Sequence, residues 1–416
     1  MKHPALWLLF ALAGLCRADP VPLRLADAER LLPANREIRA ADRAVEAAQA
    51  GVAIAGQAPN PTLSYSGVSI SPRTGVGSGS LKDKRIDQTL AVSQLVERGD
   101  RRTLRRDTAQ AQAQAAVSDG ADVRRQQRLL VHQAYFDLKA AQERRRLLEE
   151  TAQLYRRSEA ATAARLASGD VASVEAGRVR VEAARAANDL RVAEDDLVKA
   201  RRALAYLIGR DGEEADAIDA WPRPGTGSTV AGDPETRPDV RAAHARLTAA
   251  ERNRQLARSL QTRDVTVAAQ VERYAPEPGV TYGFTVSFPI FARYGYEGEI
   301  ARAESDYGAA LEALERTVAL AREETARART DLLASSDRLH RIEDEVLPEA
   351  RRVAEAAEFA YGRGATGLTD LLDARRTRRA VELDYVSAMA DHAKARAAWM
   401  AANEWESAPT AQDGKP

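Results

Sequence analysis

Asp370 and Asp373 are the residues of this sequence whose types and spacing most clearly suggest chemistry. They lie three positions apart in the run Thr369-Asp370-Leu371-Leu372-Asp373-Ala374. Side chains at that spacing share one face of a helix, and paired carboxylates at a constriction favour cations and resist anions. The alternative is an ordinary solvated helix start, where the helix dipole favours Asp anyway.

The residue patterns of common enzyme sites are absent from the sequence. It contains no Ser-His-Asp order, no His-Glu-x-x-His motif, no Walker lysine and no cysteine cluster. The histidines after residue 18 are scattered, and they are His132, His244, His340 and His392. We therefore predict a protein that is not an enzyme and that holds neither a cofactor nor a tight metal site.

Composition favours helix seams over a thick core. Of the 416 residues, 29% are charged and only 5% are aromatic, and much of the apolar share is Ala. Such a chain can line narrow contacts between helices. The formal net charge is zero, which gives no attraction to nucleic acid, and we expect none as a partner.

Residues 1–18 have the pattern of a secretory signal peptide. An apolar run from Ala5 to Leu15 follows a basic start, and small residues permit cleavage after Ala18. The alternative is a lipoprotein signal ending at Cys16, although that peptidase needs a small residue at the preceding position, where Leu stands. Cleavage after Ala18 would give an exported protein without cysteine and so without disulfides.

The elements that would position the aspartates are long helices with a heptad seam. Small and apolar residues recur at alternating spacings of four and three, as Val179, Ala183, Ala186, Leu190, Ala193, Leu197, Ala200, Leu204 and Leu207. This seam predicts a close helical neighbour along its whole length. A shift of 195 residues, from 179 to 374, finds the pattern again as Ala374, Arg378, Val381, Tyr385, Ala388, His392, Ala395, Trp399 and Ala402.

Each seam follows a glycine turn, Ser168-Gly169-Asp170 in one case and Gly362-Arg363-Gly364 in the other. The chain is therefore predicted to be a tandem duplication of a long-helix unit. We expect a first repeat over 19–210, a linker over 211–237, a second repeat over 238–405 and a disordered tail over 406–416.

Each repeat is predicted to contain a leading helix, a β-hairpin, a very long helix and a return helix. In the first repeat these are a helix from Leu23 to Ala58, a hairpin over 62–95, a helix from Gly99-Asp100 to about Leu166, and the return arm to Leu207. In the second repeat they are a helix ending at Arg263, a hairpin over 265–290, a helix from about Glu299 to Tyr361, and an arm to about Trp405.

The second-repeat strands carry the more informative pattern. Val265–Tyr274 and Val280–Phe288 alternate between apolar or aromatic residues and small or polar ones. This is the period of transmembrane barrel strands, and the alternative is a half-buried sheet in a soluble domain. In the first repeat the pattern is weaker, because Leu63 and Tyr65 are out of phase with Val68 and Ile70.

Helix lengths favour the barrel. The long helix of about 65 residues spans roughly 100 Å, and the two shorter helices stacked end to end match it. No predicted helix after the signal is apolar enough to cross a membrane, so the strands must do so. Four strands cannot close a barrel, whereas three chains give twelve. We therefore predict a mainly α fold with a β-barrel part: a homotrimer in which a twelve-stranded barrel is continuous with a long helical cylinder.

Several short motifs, in their order and duplicated spacing, resemble the TolC-type outer-membrane efflux family. They are Asn60-Pro61-Thr62-Leu63, Phe288-Pro289-Ile290-Phe291, Leu207-Ile208-Gly209 and both glycine turns. Within that family, two stretches resemble the branch that serves cobalt-zinc-cadmium-type heavy-metal pumps. They are Val92-Ser93-Gln94 with Glu97-Arg98-Gly99-Asp100-Arg101-Arg102, and Gly298-Glu299-Ile300-Ala301-Arg302-Ala303.

The resemblance implies a passive exit duct in the outer membrane, with most of its mass in the periplasm. It implies a homotrimer in outer-membrane lipid, docked on a periplasmic adaptor that is bound to a proton-driven inner-membrane pump of the resistance-nodulation-division type. The implied docking tips include Arg165, Leu166, Gly169, Val171, Tyr361, Gly364 and Leu368, and the barrel junctions lie at Pro61 and Pro289. Drug or protein export is the alternative cargo, and a soluble periplasmic coiled-coil adaptor or scaffold is the alternative class.

The resemblance also implies a periplasmic gate of carboxylates just after the second turn, which matches Asp370 and Asp373. Their first-repeat counterparts are Glu175 and Arg178. One hypothesis is that Arg178 pairs with a gate aspartate and holds the end shut.

Overall fold

The computed structural model describes residues 20–70, 72–73, 75–80, 83–225, 232–275, 277 and 279–403. The predicted signal peptide, Cys16 and the predicted tail lie outside the described residues. The fold is mainly helical, as predicted. Its helices are α1 (Leu25–Arg30), α2 (Arg36–Ala55), α3 (Arg101–Ala167), α4 (Ser173–Leu207), α5 (Pro238–Ser259), α6 (Glu297–Arg341), α7 (Leu347–Gly362) and α8 (Leu368–Asn403). Its strands are β1 (Val21–Leu23), β2 (Thr62–Val68), β3 (Asp87–Val96), β4 (Ala215–Ala217), β5 (Val265–Arg273) and β6 (Thr281–Ser287).

The described residues fall into two compact units, and each unit takes segments from both predicted repeats. The first unit comprises residues 20–38, 124–225 and 326–403. The second unit comprises residues 39–123 and 232–325. No helix in the described ranges combines the length and the apolar character needed to cross a membrane.

In the first unit, the predicted seam is the buried face of α4. Val179, Ala183 and Ala186 pack in one cluster with side chains from the start of α8 and from α3. The other members of that cluster are Ala152, Tyr155, Leu368, Leu371 and Leu372. Small seam residues allow the backbones of neighbouring helices to approach closely. The close packing of these side chains therefore determines the position of α4 along α8.

The leading helix is not continuous, which corrects the prediction of one helix from Leu23 to Ala58. A 3₁₀ turn over Leu32–Ala34 separates α1 from α2. Asn35 then caps α2, since its Oδ1 accepts from the backbone N–H groups of Glu37 at 2.8 Å and Ile38 at 3.3 Å. Its Nδ2 donates to the Leu207 carbonyl at 2.8 Å, so this buried amide also satisfies the end of α4.

The predicted linker over 211–237 contains a short strand. Its β4 pairs in parallel with β1, and the register runs from Val21 opposite Ala215 to Leu23 opposite Ala217. Buried Tyr135 of α3 fastens this small sheet. Its hydroxyl donates to the Leu23 carbonyl at 3.1 Å and accepts from the Asp219 amide at 3.0 Å. Burial raises the pKa of the Tyr135 hydroxyl to about 12, so the group stays protonated.

The second long helix is interrupted, which corrects the prediction of one helix from Glu299 to Tyr361. A π-helical turn over Ile342–Val346 separates α6 from α7. Pro348 stands in the first turn of α7. Proline has no backbone N–H, and its ring clashes with the carbonyl four residues earlier, so the wider π turn accommodates it.

The second unit contains one antiparallel four-stranded sheet in the order β2-β3-β5-β6. Apart from Val68 and Leu95, its register aligns the large apolar residues of the four strands on one face, among them Leu63, Tyr65, Leu90, Val92, Val267, Val271, Tyr282, Phe284 and Val286. The other face is small and polar, with Ser64, Ser66, Thr89, Ala91, Ser93, Ala268, Gln270, Gly283 and Thr285. The apolar face is exposed, and Tyr282 and Phe284 reach 79% and 84%.

Helices α5 and α6 of the second unit pack through Val240, Ala243, Leu314 and Ala321. The guanidinium of Arg237, just before α5, is fully buried beside this contact. It pairs with Asp239 and Glu324, each at 2.8 Å, and donates to the Ala321 carbonyl at 3.3 Å. A buried charge requires such complete pairing.

Candidate functional site

The turn before the predicted gate repeats two backbone hydrogen bonds of the turn between α3 and α4. The Asp170 amide donates to the Arg165 carbonyl at 2.9 Å, and the Ala365 amide donates to the Ala360 carbonyl at 2.9 Å. Gly169 and Gly364 take the left-handed position of this Schellman motif, with φ of 80° and 73°. Both predicted glycine turns therefore cap the C-terminus of one helix, and each is followed by a return helix.

Asp370 lies in the first turn of α8, and Asp373 follows one turn later. Both are exposed, and each already has one partner near it in the chain. Asp370 Oδ2 accepts from the Thr366 hydroxyl at 2.7 Å, which resembles a cap at the helix start. Asp373 Oδ1 accepts from Arg376 Nη1 at 2.9 Å within α8. These bonds are local, so most of the lone pairs of both carboxylates remain open to solvent.

Arg178 of α4 contacts the gate region at Thr369, where its Nη1 donates to Oγ1 at 2.9 Å. Within the part of the chain that the structure describes, it makes no ion pair with Asp370 or Asp373 of the same chain, and the pairing hypothesis stays a prediction. Asp373 is engaged instead by Arg376 of its own helix. Glu175 lies in the first turn of α4, where a carboxylate suits the helix dipole.

The stronger link between these helices was missed by sequence reasoning. Arg376 Nη2 of α8 donates to Glu182 Oε1 of α4 at 2.8 Å, and Arg379 Nη1 reaches Asp189 Oδ2 at 3.1 Å. The hydrogen bond from Arg376 lowers the pKa of the Glu182 carboxyl, against the opposing effect of burial. A signal existed, because Glu182 adjoins seam residue Ala183 and an unpaired carboxylate is costly there.

The predicted docking tips differ in exposure. Arg165, Gly169 and Gly364 are exposed, whereas Leu166, Val171 and Tyr361 are half-buried. Leu368 is buried in the cluster between α4 and α8, and Tyr361 packs against that cluster. The exposed surface of the tips therefore comes from the turns themselves, and Leu368 supports them from beneath.

The predicted junctions at Pro61 and Pro289 flank the sheet, just before β2 and just after β6. At the same edge, Arg101 bonds to Asp264 and to the carbonyls of Leu260 and Thr262. Arg105 pairs with Glu97, and this bond lowers the pKa of the Glu97 carboxyl. These contacts fix the start of α3 against the end of α5 and against the end of β3.

His392, in the second seam, is a packed structural residue. It is 1% exposed, and its Nδ1 lies 3.2 Å from the Ser336 hydroxyl. Burial lowers the pKa of its imidazole. Within the described ranges, no group of three or more His, Cys, Asp or Glu residues is arranged to hold a metal ion.

Comparison with known proteins gives a consistent family. The profile of the outer membrane efflux protein family matches residues 28–210 and 235–402. The cobalt-zinc-cadmium resistance protein CzcC of Cupriavidus metallidurans is 27% identical over 369 residues, covering 85% of this chain and 83% of CzcC.

Solved structures have the same fold. The outer membrane channel CmeC of Campylobacter jejuni aligns with a TM-score of 0.80 at 17% identity, over 91% of this chain and 85% of CmeC. The structure of CusC aligns with a TM-score of 0.78 at 19% identity, over 91% of each chain. The family profile spans most of the sequence, and it confirms the resemblance to outer-membrane efflux proteins that the short motifs predicted. The chain belongs to the outer membrane efflux protein family and is an outer-membrane efflux channel, with most of its mass in the periplasm.

Proposed function

We propose that the channel is a homotrimer in which three four-stranded sheets close one twelve-stranded barrel. The observation that carries this proposal is the aligned register, which gives the sheet an exposed apolar face and a small, polar opposite face. An exposed apolar face of this kind suits lipid, and the polar face suits a water-filled lumen. The outer strands β2 and β6 have open edges. Pairing between copies would satisfy them, because a closed barrel leaves no edge in the bilayer.

We propose that the cargo is heavy-metal cations and that the channel is the exit duct of a tripartite, proton-driven system. The similarity to a cobalt-zinc-cadmium resistance protein supports this cargo. The partners would be a periplasmic adaptor, docked at the helix tips, and an inner-membrane pump of the resistance-nodulation-division type. The exposed Asp370 and Asp373 would form the periplasmic gate with Glu175 and Arg178, and three copies would concentrate negative charge where cations enter.

The cargo is tested with a deletion strain. We expect deletion to lower the inhibitory concentrations of one or more of zinc, cobalt, cadmium, nickel and copper, and a plasmid copy to restore them. Unchanged metal tolerance with new sensitivity to drugs would overturn the metal cargo in favour of drug export.

The class of protein is tested separately by fractionation and cross-linking of the mature protein. A trimer that needs detergent for extraction from outer membranes is the expected result. Recovery of a detergent-free monomer from the periplasm would instead favour the coiled-coil adaptor or scaffold.

A further inference from the structure

The edge of the sheet next to the helices carries exposed arginines. The ladder between β3 and β5 ends at the pair Val96–Val265, both on the apolar face. Two residues further along each strand, the alternation leads to Arg98 and Arg263. The Arg98 amide donates to Asp264 Oδ1 at 2.9 Å, so the two chain segments stay adjacent beyond the ladder. Two like charges therefore follow the apolar face at neighbouring positions, an arrangement that is unfavourable unless an anion joins them.

A third arginine and an aromatic ring complete this cluster. The Arg263 guanidinium carbon lies 5.2 Å from the centre of the Phe291 ring, and Arg293 follows two residues later. Gln261 Nε2 donates to the Gly295 carbonyl at 3.1 Å, which holds this loop against the end of α5. We call Arg98, Arg263 and Arg293 the arginine collar.

The collar arginines differ from their neighbours in having no carboxylate partner. Arg101 and Arg105, at the same edge, form ion pairs with Asp264 and Glu97. Within the described part of the chain, none of the three collar guanidiniums forms an ion pair, and all three residues are exposed.

The nearby carboxylates already have donors. Asp264 and Glu97 are held by the arginines just described, Glu297 Oε2 accepts from the Gly295 amide at 3.0 Å, and Glu299 accepts from the Tyr294 hydroxyl. The collar is therefore the group in this region that lacks a counter-charge.

Apolar side chains lie directly beside the collar on the strand side. Phe288 and Ile290 follow β6 and are exposed, Ile290 to 78%. An acyl chain suits this surface, and a phosphate suits the arginines, because guanidinium groups bind phosphate oxygens bidentately. Arg98 and Arg263 adjoin the inner strands β3 and β5, so pairing of copies through β2 and β6 would leave them open.

We propose that the arginine collar binds the headgroup phosphate of an anionic glycerophospholipid in the periplasmic leaflet of the outer membrane. This inference rests on the proposed barrel, which would put the apolar face in lipid. The lipid phosphate neutralises the facing arginines, and its acyl chains lie along Phe288 and Ile290. Basic clusters at a membrane boundary recognise anionic lipids in this way.

The test is native mass spectrometry of the full chain in detergent, titrated with phosphatidylglycerol or phosphatidylcholine. We expect phosphatidylglycerol to bind roughly tenfold more tightly than phosphatidylcholine, because the choline cation of the latter cancels the charge of the same phosphodiester and is repelled by the arginines. Arg98→Gln with Arg263→Gln should abolish that preference. Arg98→Lys with Arg263→Lys keeps both positive charges but removes the bidentate guanidinium donors, and it should leave an intermediate preference.

The matched control is Arg302→Gln with Arg316→Gln, an equal charge change at exposed positions of α6, and it should keep the preference. Inorganic phosphate should not displace the lipid, because it cannot use the apolar surface. Equal binding of both lipids to the wild type, or displacement by inorganic phosphate alone, would overturn the inference.

Flotation with phosphatidylcholine vesicles separates this inference from the barrel proposal. Wild type and variants should all float with the vesicles. If the wild type does not insert, the barrel proposal fails; if it inserts but shows no lipid preference, only the collar inference fails.

Discussion

Arg376 of α8 and Glu182 of α4 form a direct link between the two return helices, with Nη2 and Oε1 2.8 Å apart. The Glu182 side chain is 6% exposed, whereas that of Arg376 is 45% exposed. The link lies beside the predicted gate, because Arg376 also contacts Asp373. Its position makes it a determinant of how tightly α4 and α8 are held at this end.

We expect Arg376→Gln to raise single-channel conductance in planar bilayers. The substitution leaves the Glu182 carboxylate without its main partner and weakens the helix contact by about 1 kcal/mol, since Arg376 is partly solvent-screened. The control is Arg352→Gln, which removes an exposed pair with Glu349 that lies within one helix. Equal conductance in both variants would contradict a role for the link in gating.

The same link predicts a pH dependence. The pKa of Glu182 is lowered from its usual 4.5, chiefly by the hydrogen bond from Arg376. A carboxyl group whose pKa is lower in the folded state stabilises the fold at pH values above its pKa in the unfolded state. This stabilisation is lost as the pH falls through the pKa of the folded state. Conductance should therefore stay constant at neutral pH and rise below about pH 4.5. In Arg376→Gln this rise should disappear, and a rise of the same size would exclude Glu182 as its source.

Neutralising both gate aspartates should reduce cation selectivity. In Asp370→Asn with Asp373→Asn, a trimer would lose six carboxylates at its narrow end, so reversal potentials in a salt gradient should shift towards zero. The control is Asp384→Asn with Glu355→Gln, which removes as many charges from exposed positions of α8 and α7. Unchanged selectivity and cation block in the gate variant would show that the gate lies elsewhere.

Adjacent residues of β6 provide a test of the two sheet faces. Phe284→Arg puts a charge on the proposed lipid face, at a cost of about 2–4 kcal/mol near the bilayer centre. Thr285→Arg puts the same charge on the opposite face, where water would solvate it. We expect the first variant to lose folded protein in vesicles, measured by gel shift and protease protection, and the second to keep it. The reverse order would assign the faces the other way round.

Two glycines with similar backbone conformations should differ in their tolerance of alanine. Gly169 has φ of 80° with open space around it, whereas a Cβ on Gly209, with φ of 70°, would lie 2.8 Å from the Ala34 carbonyl oxygen. Gly169→Ala should cost about 1 kcal/mol from backbone conformation alone. Gly209→Ala should cost at least about 1 kcal/mol more, because the Ala34 backbone must move. Thermal unfolding followed by circular dichroism measures both, and equal losses would contradict the close approach.

His392 should make the helical part less stable in mild acid. Burial depresses its imidazole pKa below the usual 6.5, and Arg396 and His340 add to the effect. Below pH 6.5 the unfolded chain therefore binds more protons than the folded chain. The contribution of neutral His392 to the free energy of unfolding is complete above pH 6.5 and is lost as the pH falls below that value. His392→Gln should flatten the apparent melting temperature between pH 7 and pH 5, whereas His244→Gln, at an exposed position that does not act on His392, should not. An unchanged pH profile in the His392 variant would contradict this assignment.

The sequence predicted the elements with strong local signals. The seam from Val179 to Leu207 and the turns at Gly169 and Gly364 follow from helix period and glycine chemistry, so the long helices were predictable. The strands were predictable from alternation, but their register was not. Leu63 and Tyr65 disagreed in phase with Val68 and Ile70, and the pairing with β3 decides between them: Leu63 and Tyr65 lie on the apolar face, whereas Val68, opposite Asp87, lies on the other face.

The errors come from contacts that are distant in sequence. No local pattern indicates that Val21 pairs with Ala215. The segment from Leu23 to Ala58 has the composition of one helix, and the break before α2 is stabilised by the hydrogen bond from Asn35 to the distant Leu207 carbonyl. At the site, Asp370 and Asp373 stood out by type and spacing. The place of Glu182 beside the seam indicates that it needs a partner, but the choice of Arg376 depends on the packing of α4 against α8, which no local pattern reports.

The parallel pairing of β1 with β4 also bears on the order in which the chain can fold. Its partners, Val21 and Ala215, are separated in sequence by all of α2, β2, β3, α3 and α4. Loop-closure entropy penalises so distant a contact until local helices and hairpins have shortened the path. In a chain exported from its N-terminus, β1 therefore stays unpaired until residues 215–217 follow.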